Sequence, residues 1–130
     1  MAKLTMVSRI LLGLIFLVFG VNGLVMAATG SGFIPMPPPS PEMGAVFGGL
    51  FAAKYLMPLV KIIEVITGLL FLFNKKINLA LVLMGPIVVN ILGLHLFVDL
   101  SGAPIAIVVT VLWLVVLKSK WSDFKNFLCE

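Results

Sequence analysis

The chain has 130 residues, of which 62% are hydrophobic and 11% charged, and its net charge is +4. A mean hydropathy of +1.25 lies far above that of a soluble domain of average composition, so an ordinary water-soluble protein is excluded. The positive charges are not interleaved with aromatic residues, which excludes a nucleic-acid-binding stripe. A lipid bilayer is therefore the expected partner of this chain.

Four apolar runs can cross the hydrocarbon core of a membrane, which is about 30 Å thick, although the fourth needs a few flanking residues to do so. Backbone groups in lipid must bond within their own segment, so each run is expected to be a helix. The spans are predicted at residues 7–28, 55–73, 77–98 and 104–117. The sequence thus predicts an all-α fold, a single domain over residues 1–130 built as an integral membrane four-helix bundle.

The first run also has features of a secretory signal peptide. Lys3 and Arg9 lie at its start, and Val25-Met-Ala27 resembles a cleavage site. The apolar stretch is long for a signal peptide and contains Asn22. These two features favour an uncleaved first span.

A proline-rich connection, residues 29–54, follows the first span and contains five of the eight prolines of the chain. Ser40 can cap a short helix, with Pro41 at its first position and Glu42 near the positive end of the helix dipole. We expect residues 43–53 to form that helix at the outer interface. The connection is either a strap that closes the outer end of the bundle or a lid over a pocket for a lipophilic ligand.

Basic residues mark one side of the predicted bundle. On that side lie Lys3, Arg9, Lys75, Lys76, Lys118, Lys120 and Lys125. The other side has Lys54, so the positive-inside rule places both termini in the cytoplasm. Residues 118–130 are expected to form an amphipathic tail there, because Trp121, Phe124 and Leu128 recur at helical spacing.

Lys61 and Glu64 interrupt the second apolar run. Each would cost about 2.5–3.5 kcal/mol at the centre of a span, so an unpaired, lipid-facing pair would cost about 5–7 kcal/mol. The two residues are three positions apart and share a helix face, so we expect them to pair and to point inward. Gly68 continues this face by one turn and would let a neighbouring helix approach closely.

Four more polar residues fall at a similar predicted depth, in the outer half of the bundle. Asn22 lies in the first span, Asn90 and His95 lie in the third, and Asp99 ends the third. Asp99 is four positions after His95, so its carboxylate would orient the imidazole. Together with the charged pair, these residues form a predicted polar layer, which is the candidate ligand-binding site.

Two interpretations of the polar layer are open. As a ligand site, Lys61 is a cationic anchor, the asparagines donate hydrogen bonds, and His95 and Glu64 handle protons as candidate catalytic residues. Such a site suits a quinone head group, or a path for protons or a small anion. As a packing network, the charged pair fixes helix register, the asparagines bond between helices, and His95 reaches to the outer interface.

The sequence lacks the usual ligands of a metal or covalent cofactor. His95 and Cys129 are the chain's one histidine and one cysteine, too few for a bis-histidine haem, an iron–sulfur cluster or a structural zinc site. Neither a P-loop nor a dinucleotide-binding glycine motif is present. Electrons would have to come from a bound organic cofactor, such as a quinone, or from a partner.

Several motifs are spread over nearly the whole chain. They are Phe19-Gly-Val-Asn-Gly23, Phe33-Ile-Pro-Met-Pro37, Tyr55-Leu-Met-Pro-Leu-Val-Lys-Ile-Ile-Glu-Val-Ile-Thr-Gly68, Gly85-Pro-Ile-Val-Val-Asn90 and His95-Leu-Phe97. As a set they resemble the DoxX-like family of small bacterial four-span membrane proteins. The resemblance implies a multi-pass protein of the bacterial inner membrane.

The name of that family derives from a subunit of a thiosulfate:quinone oxidoreductase. The resemblance therefore implies a subunit of a quinone-linked redox system, with a redox partner subunit or a homo-oligomer as its assembly. A structural or assembly subunit without catalysis is the alternative function. A small proton or anion transporter is the third.

Overall fold

The computed structural model describes residues 2–129, and it contains helices and no β-strand in that range. The helices are α1 (Ala2–Thr29), α2 (Pro41–Ala52), α3 (Leu56–Leu72), α4 (Ile77–Phe97), α5 (Ala103–Ser119) and α6 (Trp121–Leu128). A 3₁₀ turn, Leu100–Gly102, joins α4 to α5. The predicted all-α class is confirmed.

Three helical segments are long and apolar enough to cross a membrane: α1, α4, and α5 together with its preceding turn, Leu100–Ser119. The 17 residues of α3 are about 26 Å long, slightly less than the hydrocarbon core. α2 precedes α3 across a break where the chain bends by 92°, and the bent pair together would make a fourth span. A multi-pass membrane protein with three or four spans follows from these lengths.

The long helices contact one another in the cyclic order α1, α3, α4, α5, with the most extensive contact between α1 and α3. Fully or almost fully buried apolar side chains fill the space between them, and they include Leu12, Phe16, Phe71, Leu81, Met84 and Val109. The outward faces are also apolar: Ile66, Val89 and Val111 are about half exposed or more. So much exposed apolar surface is typical of a lipid-facing protein.

The tightest helix crossing joins α1 to α3 at two glycines. A β-carbon added at Gly68 would lie 2.8 Å from the backbone nitrogen of Leu17 and 2.9 Å from the carbonyl oxygen of Gly13. No side chain larger than hydrogen fits there without moving a helix. The predicted close approach at Gly68 is confirmed, and the neighbour is α1.

The carboxyl end of α3 is held by Arg9 of α1. One guanidinium nitrogen of Arg9 donates hydrogen bonds to the carbonyl oxygens of Phe71 and Leu72, the second at 3.2 Å. These terminal carbonyls carry partial negative charge, so a cation stabilises them. Arg9 therefore links α1 to α3, a contact that the distribution of basic residues along the sequence did not predict.

The amino end of α2 agrees with the sequence prediction. The side-chain oxygen of Ser40 accepts a hydrogen bond from the backbone nitrogen of Met43 at 3.2 Å, Pro41 begins the helix, and Glu42 lies in its first turn. The helix begins two residues earlier than the predicted segment, residues 43–53, and ends at Ala52. Met43 is 2% exposed and anchors this outer helix to the rest of the chain.

The predicted amphipathic tail is also helical, as α6. Phe124 packs against the core, whereas Trp121 and Leu128 are exposed. The side-chain amide of Asn78 donates a hydrogen bond to Asp123 at 2.8 Å and so ties α6 to the start of α4.

Candidate functional site

Lys61 and Glu64 form an ion pair inside the helical assembly. The Lys61 ammonium nitrogen lies 2.9 Å from Glu64 Oε2. The side chain of Glu64 is 3% exposed and that of Lys61 is 18% exposed, so the carboxylate is the more deeply buried partner. The predicted pairing and the inward orientation are both confirmed, because α3 turns this face away from the surroundings.

The ion pair leaves one acceptor incompletely used. Glu64 Oε2 is buried, and the Lys61 ammonium is the one donor that approaches it among residues 2–129, at 2.9 Å. A carboxylate oxygen has two lone pairs, so the ammonium leaves room for a second donor. Buried carboxylate oxygens are normally hydrogen-bonded. Glu64 Oε2 could therefore accept a hydrogen bond from a further molecule.

The wall opposite the pair is the backbone of α1. A β-carbon at Gly23 would collide with the side chain of Lys61, and one at Gly20 would lie 3.1 Å from the β-carbon of Glu64. The lysine stem therefore lies along bare helix backbone. Sequence reasoning did not single out Gly20 as part of the site, although the Gly20–Gly23 spacing places both residues on one helix face.

α1 and α3 run antiparallel, because Gly13 lies beside Gly68 and Gly23 beside Lys61. Asn22 is therefore level with Lys61, as its predicted depth requires. Its side-chain oxygen, however, accepts hydrogen bonds from the backbone nitrogens of Phe33 at 2.8 Å and Ile34 at 3.0 Å. Asn22 thus fastens the start of the proline-rich connection to α1.

Asp99 fastens the same connection at a second point, Ser40, just before α2. Its carboxylate accepts a hydrogen bond from the backbone nitrogen of Ser40 at 3.2 Å. It also accepts two from Ser101, at 2.7 Å from the hydroxyl and 3.0 Å from the backbone nitrogen. The bonds from Ser101, followed by the bond from Ser40, lower the pKa of Asp99 to about 2.

The expected contact between the His95 imidazole and the Asp99 carboxylate is wrong. His95 Nδ1 lies 3.2 Å from the backbone oxygen of Asp99, because Ser40 and Ser101 occupy the carboxylate. A carbonyl oxygen only accepts, so Nδ1 is the donor in this contact. A β-carbon at Gly102 would collide with this ring, which therefore lies against the turn after α4.

Asn90 is exposed and bonds within its own helix. Its side-chain nitrogen donates to the carbonyl oxygen of Pro86 at 2.8 Å. Neither Asn90 nor His95 makes a hydrogen bond or an ion pair with Lys61 or Glu64. Of the six residues of the predicted layer, the structure brings Lys61 and Glu64 into direct contact. Asn22 is close to them in the sense that the Lys61 stem lies on its chain neighbour, Gly23.

Surface pockets of about 250 and 320 Å³ lie toward the end of the assembly that contains the α3–α4 turn. Neither is lined by Lys61 or Glu64. Within residues 2–129, no three histidine, cysteine or acidic side chains come together as a metal site. A ligand at the ion pair would have to bind through Glu64 Oε2 and Lys61.

No protein-family model, curated protein or solved structure matches the chain. The functional conclusion therefore rests on the geometry of the described residues and on the sequence resemblance.

Proposed function

We propose that this chain is a small multi-pass protein of the bacterial inner membrane and a subunit of a quinone-linked redox system. In this proposal α1, α3, α4 and α5 form a four-helix bundle with both termini in the cytoplasm, and the Lys61–Glu64 pair contacts the quinone head group. The apolar outward faces and the resemblance to DoxX-like proteins support this environment.

The buried oxygen of Glu64 is the observation that carries the proposal. Glu64 Oε2 lies 2.9 Å from the Lys61 ammonium and has no second hydrogen-bond donor among residues 2–129. A quinol hydroxyl is such a donor, and the Lys61 ammonium can donate to the carbonyl oxygen of the oxidised ring. The pair therefore offers complementary groups to both redox forms of one head group.

The pair is closed when no ligand is bound, because the Lys61 stem fills the space over Gly23. A lysine side chain has several rotatable bonds, so it can swing away when a head group enters. Glu64 is the candidate for proton transfer in this proposal, since His95 lies against Gly102 and makes no bond with the pair. The electrons would pass to or from a partner subunit.

Quinone binding to the purified protein in detergent tests the proposal. A short-chain benzoquinone should bind the wild-type chain, and Glu64→Gln should weaken binding about tenfold or more, because a charge-assisted hydrogen bond is lost. Glu42→Gln is the matched control, since it removes an exposed carboxylate from the first turn of α2. Absence of binding to the wild-type chain, or equal binding to both variants, would remove the proposal.

A non-catalytic structural or assembly subunit is the second candidate. It is favoured by the bonds of Asn22 and Asp99, which hold the proline-rich connection as a strap across the outer end. In this case the Lys61–Glu64 pair only fixes the register of α1 against α3. A double variant with apolar residues at both positions would then fold and function normally.

A further inference from the structure

An apolar groove of about 250 Å³ lies between α4, α5 and α6, far along α4 from His95. Its walls include Val82, Gly85, Trp113, Leu117, Trp121 and Phe124. The indole nitrogen of Trp113 donates to the carbonyl oxygen of Leu81 at 3.3 Å, which holds one wall in place. The groove has an apolar lining, as a site for a hydrocarbon chain requires.

A polar pocket of about 320 Å³ lies next to this groove. Its lining includes Lys76 and Lys120 together with Asn74 and Asn78. Asn78 lies one helical turn before Val82 of the groove, and Lys120 precedes Trp121 in the chain. The basic pocket and the apolar groove therefore have neighbouring lining residues on α4 and at the junction of α5 with α6.

The acidic group nearest in sequence to this pocket is already engaged. Asp123 accepts a hydrogen bond from Asn78 at 2.8 Å and is not part of the pocket lining. This bond holds α6 beside the start of α4, so the pocket and the groove are fixed relative to each other. The pocket lining then carries the two positive charges of Lys76 and Lys120, against the one carboxylate of Asp123 behind Asn78.

We propose that the pocket and the groove bind one anionic phospholipid, with an acyl chain along Trp113 and Trp121 and the phosphate between Lys76 and Lys120. The lipid matches the site in charge and in polarity, because lysines attract its phosphate and the apolar walls accept its hydrocarbon chain. The pocket and the groove also lie at the depths of a lipid head group and of an acyl chain. Basic pockets between helices at the cytoplasmic surface lie at the level of lipid head groups, and an amphipathic helix such as α6 lies just beneath them.

Quenching of tryptophan fluorescence tests this site, because both tryptophans of the chain, Trp113 and Trp121, line the groove. The full chain is reconstituted in phosphatidylcholine vesicles with a rising fraction of phosphatidylglycerol that has brominated acyl chains. Half-maximal quenching is expected at a fraction about tenfold lower than for brominated phosphatidylcholine. The variant Lys76→Gln/Lys120→Gln should lose this preference.

The matched control is Lys75→Gln/Lys125→Gln, which removes the same charge from residues outside the pocket lining. It should keep the preference within about twofold, because Lys75 and Lys125 are exposed and do not line the pocket that holds the phosphate. Equal quenching by both brominated lipids, an unchanged preference in Lys76→Gln/Lys120→Gln, or an equal loss in both variants would overturn the proposal. If the pocket variant does not fold, an excess of unbrominated phosphatidylglycerol must restore wild-type fluorescence more than phosphatidylcholine does, and failure to do so also overturns it.

Discussion

The Lys61–Glu64 pair shows how two charges are accommodated inside an apolar assembly. The charges neutralise each other at 2.9 Å, and the glycines of α1 let the lysine stem lie against bare backbone. Burial of the pair is costly, and breaking it costs more, because the remaining charge has no partner. The stability lost when one residue is replaced therefore differs from the stability lost when both are replaced together.

Single and double replacements measure that asymmetry. Lys61→Met should lower the free energy of unfolding by about 3–5 kcal/mol, because it leaves the buried Glu64 without its cation. Lys61→Met/Glu64→Leu should be about as stable as the wild-type chain, since replacing a whole buried pair by apolar residues is often neutral. Unfolding in mixed detergent micelles measures both. If the double variant is as unstable as the single one, the unpaired charge of Glu64 is not the cause of the instability.

The pairing of Lys61 with Glu64 was predictable from the sequence, whereas for Asn22 the depth was predictable and the partner was not. The sequence places Asn22 level with Lys61, and the antiparallel contact of α1 with α3 agrees. That Asn22 bonds to Phe33 and Ile34 depends on the path of the proline-rich connection, which has no periodic pattern to predict it. The same holds for Asp99 and Ser40, whose contact joins residues far apart in the sequence.

At the scale of elements, the proline-rich connection is a strap in the sense that it is fastened at two points, by Asn22 at Phe33 and Ile34 and by Asp99 at Ser40. Asp99 has an ordinary pKa of 3.8, which the structure lowers to about 2. A lowered pKa means that the ionised carboxylate stabilises the folded chain. Its contribution is complete above the ordinary pKa and is lost as the pH falls through about 2.

The contact of the strap with Asp99 should therefore persist at pH 4 and be lost near pH 2, whereas its contacts with Asn22 do not titrate. The chemical shift of the Ser40 amide proton, which donates to Asp99, should titrate with a midpoint of about 2. Asp99→Asn should abolish this transition, because its amide has no carboxyl proton to gain in this range. A midpoint near 4 in the wild-type chain would show that the strap does not depend on the ionised carboxylate.

The crossing of α1 with α3 is the tightest contact between elements. Gly68→Ala would place a methyl group within 2.9 Å of backbone atoms of α1, so the helices must separate. We expect a loss of about 1–3 kcal/mol in the free energy of unfolding. Gly93→Ala is the control, because no atom lies within 4 Å of a β-carbon there and alanine favours the helix. Equal effects of the two changes would contradict a crossing set by Gly68.

The helices themselves were largely predictable, because long apolar runs in lipid must be helical and Pro, Gly and Asn residues interrupt them. α4 was predicted at residues 77–98 and is Ile77–Phe97. The rotation of α4 about its own axis was not predictable, since apolar residues surround Asn90 on every side and indicate no inward face. In the structure the Asn90 side chain is exposed and donates a hydrogen bond to the carbonyl oxygen of Pro86.

At the scale of the whole molecule, the distribution of basic residues predicts that both termini face the cytoplasm. Cys129 is exposed and is the single cysteine of the chain, so it reports the side of the carboxyl terminus. A membrane-impermeant maleimide should label Cys129 in inverted vesicles and not in intact spheroplasts. In a Cys129→Ser background, Ser31→Cys should show the reverse pattern. Labelling of Cys129 in intact spheroplasts would contradict the orientation.

The central claim is that the Lys61–Glu64 pair contacts a bound head group and does not merely hold two helices together. An experimental density map of the protein in lipid nanodiscs, sharp enough to show side chains, tests it most directly. We predict ring-shaped density within hydrogen-bond distance of Glu64 Oε2, with the Lys61 stem displaced from Gly23. A pair closed on itself, with Lys61 still against Gly23 and no added density, would contradict the claim.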